Sequence, residues 1–173
     1  MGAETEAIAA DLAGVLDTLS RAEVQVGATV EHANQIAARA AGTGFVGVAT
    51  AVAGLGGQIK AIGAGLTRAA DSGREAVAAV GGVKEQMSPV EANRHLAVAK
   101  QKVDGVRPAL ATVVQQIATV KAKVGVVLQG GQPGPLLARL DAIRQDVTVA
   151  AQRSDAVNAK IATTIARGGQ LGN

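Results

Sequence analysis

Between Phe45 and Val80 apolar or small residues recur at alternating steps of three and four without a break: Phe45, Val48, Val52, Leu55, Ile59, Ile62, Leu66, Ala69, Gly73, Ala76 and Val80. That spacing sustained over about five heptads is a helical seam of the coiled-coil type, and it cannot serve a strand, whose side chains alternate with period two. The same stretch carries Gly47, Gly54, Gly56, Gly57, Gly63, Gly65 and Gly73. Each glycine costs roughly 1 kcal/mol against alanine inside a helix, so this helix needs partner helices in order to exist.

The remaining chain supplies them. Ile8, Leu12, Val15, Leu19, Ala22, Val26, Thr29, Ala33, Ile36 and Ala40 form a first seam, from a helix beginning near Ala3 with Glu4, Glu6 and Asp11 toward the positive end of its dipole. Arg39 lies in its last turn, and Gly42 is placed to take the left-handed conformation that ends it. The link Gly42-Thr43-Gly44 is short enough to force an antiparallel hairpin, with Thr43 or Gly44 starting the second helix. That helix fades at Gly81-Gly82, and Val83 to Gln86 either continues it or joins the connection.

Ser88-Pro89-Val90-Glu91 is the most specific local signal. Ser88 as N-cap accepts from the Glu91 N–H, the Glu91 carboxylate reaches back, and Pro89 takes the first helical position, where no N–H partner is needed. A third seam follows: Ala92, Leu96, Ala99, Val103, Val106, Leu110, Val113, Ile117, Val120, Val124 and Val127. It keeps phase through Pro108, which predicts a kink near Asp104-Gly105 rather than a helix end. After the turn Gln129 to Pro135, the fourth seam runs Leu136, Leu140, Ile143, Val147, Ala150, Ser154, Val157, Ile161 and Thr164. It stops at Arg167-Gly168-Gly169, with Asp141 and Arg144 or Gln145 paired on its surface and nothing to hold Gln170 to Asn173.

The fold class is therefore all-α: four long antiparallel helices with heptad seams, arranged as one up-down-up-down bundle or as two tandem hairpins. The chain reads as a single helical domain, residues 1–173, built of hairpins 3–82 and 88–168 with turns at 42–44, 81–88 and 129–135. Phe45 is the only aromatic residue, so the core is one of Ala, Val, Leu and Ile between closely approaching helices.

The net charge of +3 conceals an asymmetry. Residues 1–93 hold six basic against ten acidic side chains, net −4, and residues 94–173 hold eleven against four, net +7. The two hairpins complement each other inside one bundle, or pair head to tail between copies.

No constellation points to catalysis. Gly42-x-Gly44-x-x-Gly47 matches the spacing of a dinucleotide-binding turn, but a helix precedes it where that chemistry requires a strand. His32 and His95 read as solvated surface residues. Glu91 and His95 share a helix face, yet the chain has no Glu-x-x-His and no acidic residue at a seam position, so no metal is expected. None of Ser20, Ser72, Ser88 and Ser154 sits in a strand-turn-helix elbow, and there is no cysteine. No catalytic, cofactor-binding or metal-binding residue is assigned, no cofactor is expected, and the chain reads as non-enzymatic.

Lys100, Lys102, Arg107, Lys121 and Lys123, with Arg139, Arg144, Arg153, Lys160 and Arg167, make the third and fourth helices basic, but without aromatic side chains for stacking no specific nucleic-acid binding is expected. Membrane insertion of Phe45 to Leu66 is disfavoured by Gln58 and Lys60. Gly56, Gly63 and Ala70 recur at sevens beside the main seam and are the candidate interaction residues, small enough to let another backbone approach.

The Ala/Val/Gly/Arg-rich composition and the glycine turns at Gly42-Thr43-Gly44-Phe45 and Gly130 to Pro135 resemble uncharacterised actinobacterial helical proteins. Among these are helical modules associated with polymorphic toxins and the helical-hairpin substrates of type VII secretion, in which Trp-x-Gly stands at the place of Thr43-Gly44-Phe45. No functional residue carries over from the resemblance.

The function expected is that of a structural or interaction protein that self-associates, as a homo-oligomer, or docks a partner helix. The alternatives are a secreted or toxin-associated adaptor and a membrane-active hairpin. The acidic start Met1 to Glu6 lacks a basic region before an apolar run, so a cytoplasmic location, or export without a signal peptide, is expected.

Overall fold

A computed structural model describes residues 2–170 of the protein. They form four helices, α1 (Gly2–Gly42), α2 (Val46–Gly81), α3 (Pro89–Val127) and α4 (Gly134–Gln170), with no strand among the described residues. Each helix packs on two neighbours: α1 on α2 and α4, and α3 on α2 and α4. The two hairpins therefore close on each other as a four-helix bundle rather than lying end to end as tandem hairpins.

The seams form the core. Ile8, Leu12, Leu19, Ile59, Ile62, Leu66, Leu96, Leu110, Ile117, Leu136, Leu140 and Ile143 are its largest fully buried side chains. Threonines enter it without leaving hydroxyls stranded, because Thr18 donates to the Gly14 carbonyl (2.9 Å), Thr29 to that of Gln25 (2.6 Å) and Thr164 to that of Lys160 (3.1 Å). Ser154, also buried, has an Oγ with no partner.

The α1–α2 turn differs from the sequence expectation in three respects. Gly44, not Gly42, takes the left-handed conformation (φ +86°). Phe45 N–H donates to Ala40 O (2.8 Å) and Gly44 N–H to Ala41 O (3.0 Å), the paired bonds of a Schellman ending that needs glycine at its penultimate position. Thr43 does not cap α2; its hydroxyl donates backward to the carbonyls of Arg39 and Ala40, and Phe45 begins α2 without a side-chain cap. Phe45 is not a core residue either: lying at the helix boundary beyond the last facing turn, it is 65% exposed.

The α2–α3 connection ends α2 at Gly81, and Val83–Gln86 is not helical. The capping box at Ser88 is complete, with Glu91 N–H donating to Ser88 Oγ (3.3 Å) and Ser88 N–H to Glu91 Oε2 (3.1 Å). α3 runs through Pro108 as one helix. The α3–α4 turn uses a second left-handed glycine, Gly130 (φ +88°). Of the segment expected to be unheld, Gln170 ends α4 and 171–173 lie outside the described residues.

Candidate interaction surface

Gly56 and Gly63 face α1 of the same chain. A Cβ on Gly56 would stand 3.6 Å from Asn34 Oδ1, one on Gly63 would stand 3.2 Å from Val26 Cγ1, and Ala70 is buried. The close backbone approach that the two glycines allow is thus made by α1, within the bundle.

A different small-residue surface faces outward, along the groove between α2 and α3. At its upper end a cleft of about 360 Å³ lies between Thr50, Gly54 and Gln58 on α2 and Ala122, Lys123 and Val126 on α3. A second, of about 330 Å³, continues from Gln58 and Ala61 to Thr112, Gln115 and Thr119. A third, of about 100 Å³, ends the groove at Gly65, Arg68 and Ala109. Shared walls at Gln58, Thr112 and Gln116 make the three one continuous trough.

The glycines in and beside this trough differ in what their neighbours require. Gly65 is demanded by packing, since a Cβ there would lie 2.6 Å from Val113 Cγ2. Gly47, Gly54 and Gly57 have open space where a Cβ would be. Internal contacts give no reason for these three, although each weakens α2 relative to alanine. The trough is also low in charge along most of its length, with Lys123 at its upper end and Arg68 at its lower end among its lining residues. Inside it the buried Gln116 Oε1 has no hydrogen-bond partner, whereas Gln58 Oε1 accepts from Lys123 Nζ (3.2 Å).

The opposite charges of the two halves meet within the chain. Lys102 pairs with Glu75 (2.5 Å) across α3–α2, while Lys160 pairs with Asp11 and Arg167 with Glu4 (2.7 Å) across α4–α1. Arg153 adds bonds to Gly14 O (3.0 Å) and Thr18 Oγ1 (3.2 Å). Within the second hairpin Lys100 pairs with Asp104, Arg107 with Asp155, and both Lys121 and Arg144 with Asp141. Hydrogen bonds from Lys100 and Lys121 hold the Asp104 and Asp141 carboxyls below the usual carboxylate range. Most of the lysines and arginines of α3 and α4 are therefore neutralised in place.

The other residues singled out from the sequence are dispersed. Ser88 is engaged in the cap of α3 and Ser154 lies in the core. His95 is half-buried against Gly82 rather than freely solvated. Gly42, Gly44 and Gly47 lie between two helices, with no strand to aim a pyrophosphate. Among the described residues no group of three or more His, Asp or Glu side chains is arranged to hold a metal ion.

No curated protein and no solved structure matches the chain. A family model, described as a family of unknown function, matches residues 87–173, which begin one residue before the Ser88 cap and span the α3–α4 hairpin. That match covers half of the chain, and the protein belongs to this family of unknown function, DUF6244.

Proposed function

We propose that this protein is a non-enzymatic interaction protein that docks a helix in the α2–α3 trough, with a second copy of the chain as the occupant. The observation carrying this reading is Gly54, which lines the trough, with Gly47 and Gly57 exposed on the same helix; all three cost helix stability and relieve no internal contact. Small residues on an exposed helix face let another backbone approach closely and make extensive dispersion contacts. The scarcity of charge along the trough supports self-association, since two copies meet there with little ionic desolvation. Gln116 Oε1 offers an unfilled acceptor at the bottom of the trough.

Leucine at Gly54 and Gly57 tests the reading, because the side chain at Gly54 fills the trough from the outside and the one at Gly57 covers the exposed face of α2 beside it, while both improve helix propensity. Sedimentation velocity is expected to show that the double variant stays monomeric at concentrations where the parent chain assembles, with undiminished helicity by circular dichroism. Equal assembly by both proteins contradicts the reading.

A further inference from the structure

The two ends of the bundle differ in charge and polarity. The end that carries the α1–α2 and α3–α4 turns comprises residues 36–52 and 121–141; these contain Arg39, Lys121, Lys123 and Arg139 and one acidic residue, Asp141, which is paired with Lys121. At the same end Phe45 and Val46 are each 65% exposed and Val126 is 72% exposed, three of the six exposed large apolar side chains among the described residues. The opposite end mixes Glu4, Glu85 and Glu91 with Lys84, Arg94 and Arg167.

Folding makes little use of these apolar side chains. Phe45 is the chain's only aromatic residue, and it sits at a helix start where no neighbouring helix covers it. Arg39, Lys123 and Arg139 have no carboxylate partner among the described residues. At 1.5 Å per residue these three cations stand within about 10 Å of their helix ends, behind the exposed apolar side chains.

We infer that this end docks on an anionic lipid surface, with Phe45, Val46 and Val126 entering the headgroup boundary and Arg39, Lys123 and Arg139 meeting the lipid phosphates. An apolar wedge backed by cations at headgroup depth is the chemistry of interfacial binding, and it requires no helix to span the bilayer. A second copy is a poor occupant, because tip-to-tip pairing sets three unpaired cations against three, and the one nearby carboxylate, Asp141, is already engaged by Lys121 and Arg144. Phe45 and Val46 lie at a helix start outside the α2–α3 trough, so they suit a soft planar surface better than a partner helix seeking a groove.

The test is co-flotation of the full chain with phosphatidylcholine vesicles with and without phosphatidylglycerol, at low and high salt. Binding is expected only with the anionic lipid and is expected to fall with salt. Replacing Arg39 and Arg139 by Gln should weaken partitioning about fivefold for each cation removed. Phe45→Ser should also weaken it, and Arg94→Gln at the other end should not; circular dichroism establishes that all variants are folded. Failure to float with phosphatidylglycerol at low salt overturns the inference and leaves an acidic protein as the partner of this end. Equal flotation with phosphatidylcholine alone, or flotation indifferent to both Phe45→Ser and the arginine changes, overturns it as well.

Discussion

The imidazole of His95 lies against the backbone of Gly82, so close that a Cβ on Gly82 would stand 2.7 Å from Nδ1. Gly82 has φ −70° and ψ −20°, a conformation that alanine adopts freely and with less loss of entropy. Contact with His95, not backbone strain, therefore decides the sign of a substitution. Gly82→Ala is expected to destabilise the protein by about 1–3 kcal/mol, as overpacking does. In a double-mutant cycle, adding His95→Ala should remove most of that penalty. Equal penalties with and without the histidine would show that the contact is not the cause.

The Ser88–Glu91 box links stability to pH. Hydrogen bonds from the Ser88 side chain and backbone hold the Glu91 carboxyl below its ordinary value. A folded value below the unfolded one means that the contribution is complete above the unfolded carboxylate range and is lost as pH falls through the folded value. Asp104 and Asp141, held low by Lys100 and Lys121, act with the same sign. Ser88→Ala should cost about 1 kcal/mol near neutral pH, and its melting temperature should fall less than that of the parent chain as pH drops below about 4.

Two glycines on α2 should respond in opposite directions to the same substitution. Gly57→Ala places a methyl group in open space and should raise the melting temperature by about 2–4 °C, the equivalent of roughly 1 kcal/mol in a chain of this size. Gly65→Ala drives a methyl group to 2.6 Å from Val113 Cγ2 and should lower it. Two increases would mean that α2 and α3 separate at little cost.

Ser154 occupies a core seam position with a buried hydroxyl that finds no partner. Ser154→Ala removes that unsatisfied group and adds helix propensity, so thermal or chemical unfolding should show a gain of about 1 kcal/mol. A loss would mean that the hydroxyl makes a bond worth more than its burial costs.

The seams were legible because a strict three-four spacing leaves one solution for a helix of this length. Every expected seam residue from Ile8 to Ala33, Val52 to Val80, Ala92 to Val124 and Leu136 to Thr164 is buried. Phe45 departs from its seam because the period runs past the last turn that has a neighbour to face. The choice between Gly42 and Gly44 as the left-handed residue depends on where the Schellman bonds close, which two nearby glycines leave open. The charge asymmetry did show that the halves attract, but the pairings of Lys102 with Glu75 and Arg167 with Glu4 depend on which helices become neighbours. The outward trough was hidden for the same reason. Gly56 and Gly63 face α1 while Gly54 and Gly57 face solvent, and residues so close in sequence separate only once the position of α3 is known.

The most direct measurement is the absolute mass in solution by light scattering after size exclusion, at low and high salt, for the parent chain and for Gly54→Leu/Gly57→Leu. The ion pairs joining the halves are internal and the trough is poor in charge, so the parent mass should exceed the 17.1 kDa of one chain and change little with salt. The leucine variant should return to one chain. A parent mass of one chain under all conditions, or an assembly that dissolves in salt and ignores the leucines, would contradict docking through the α2–α3 trough.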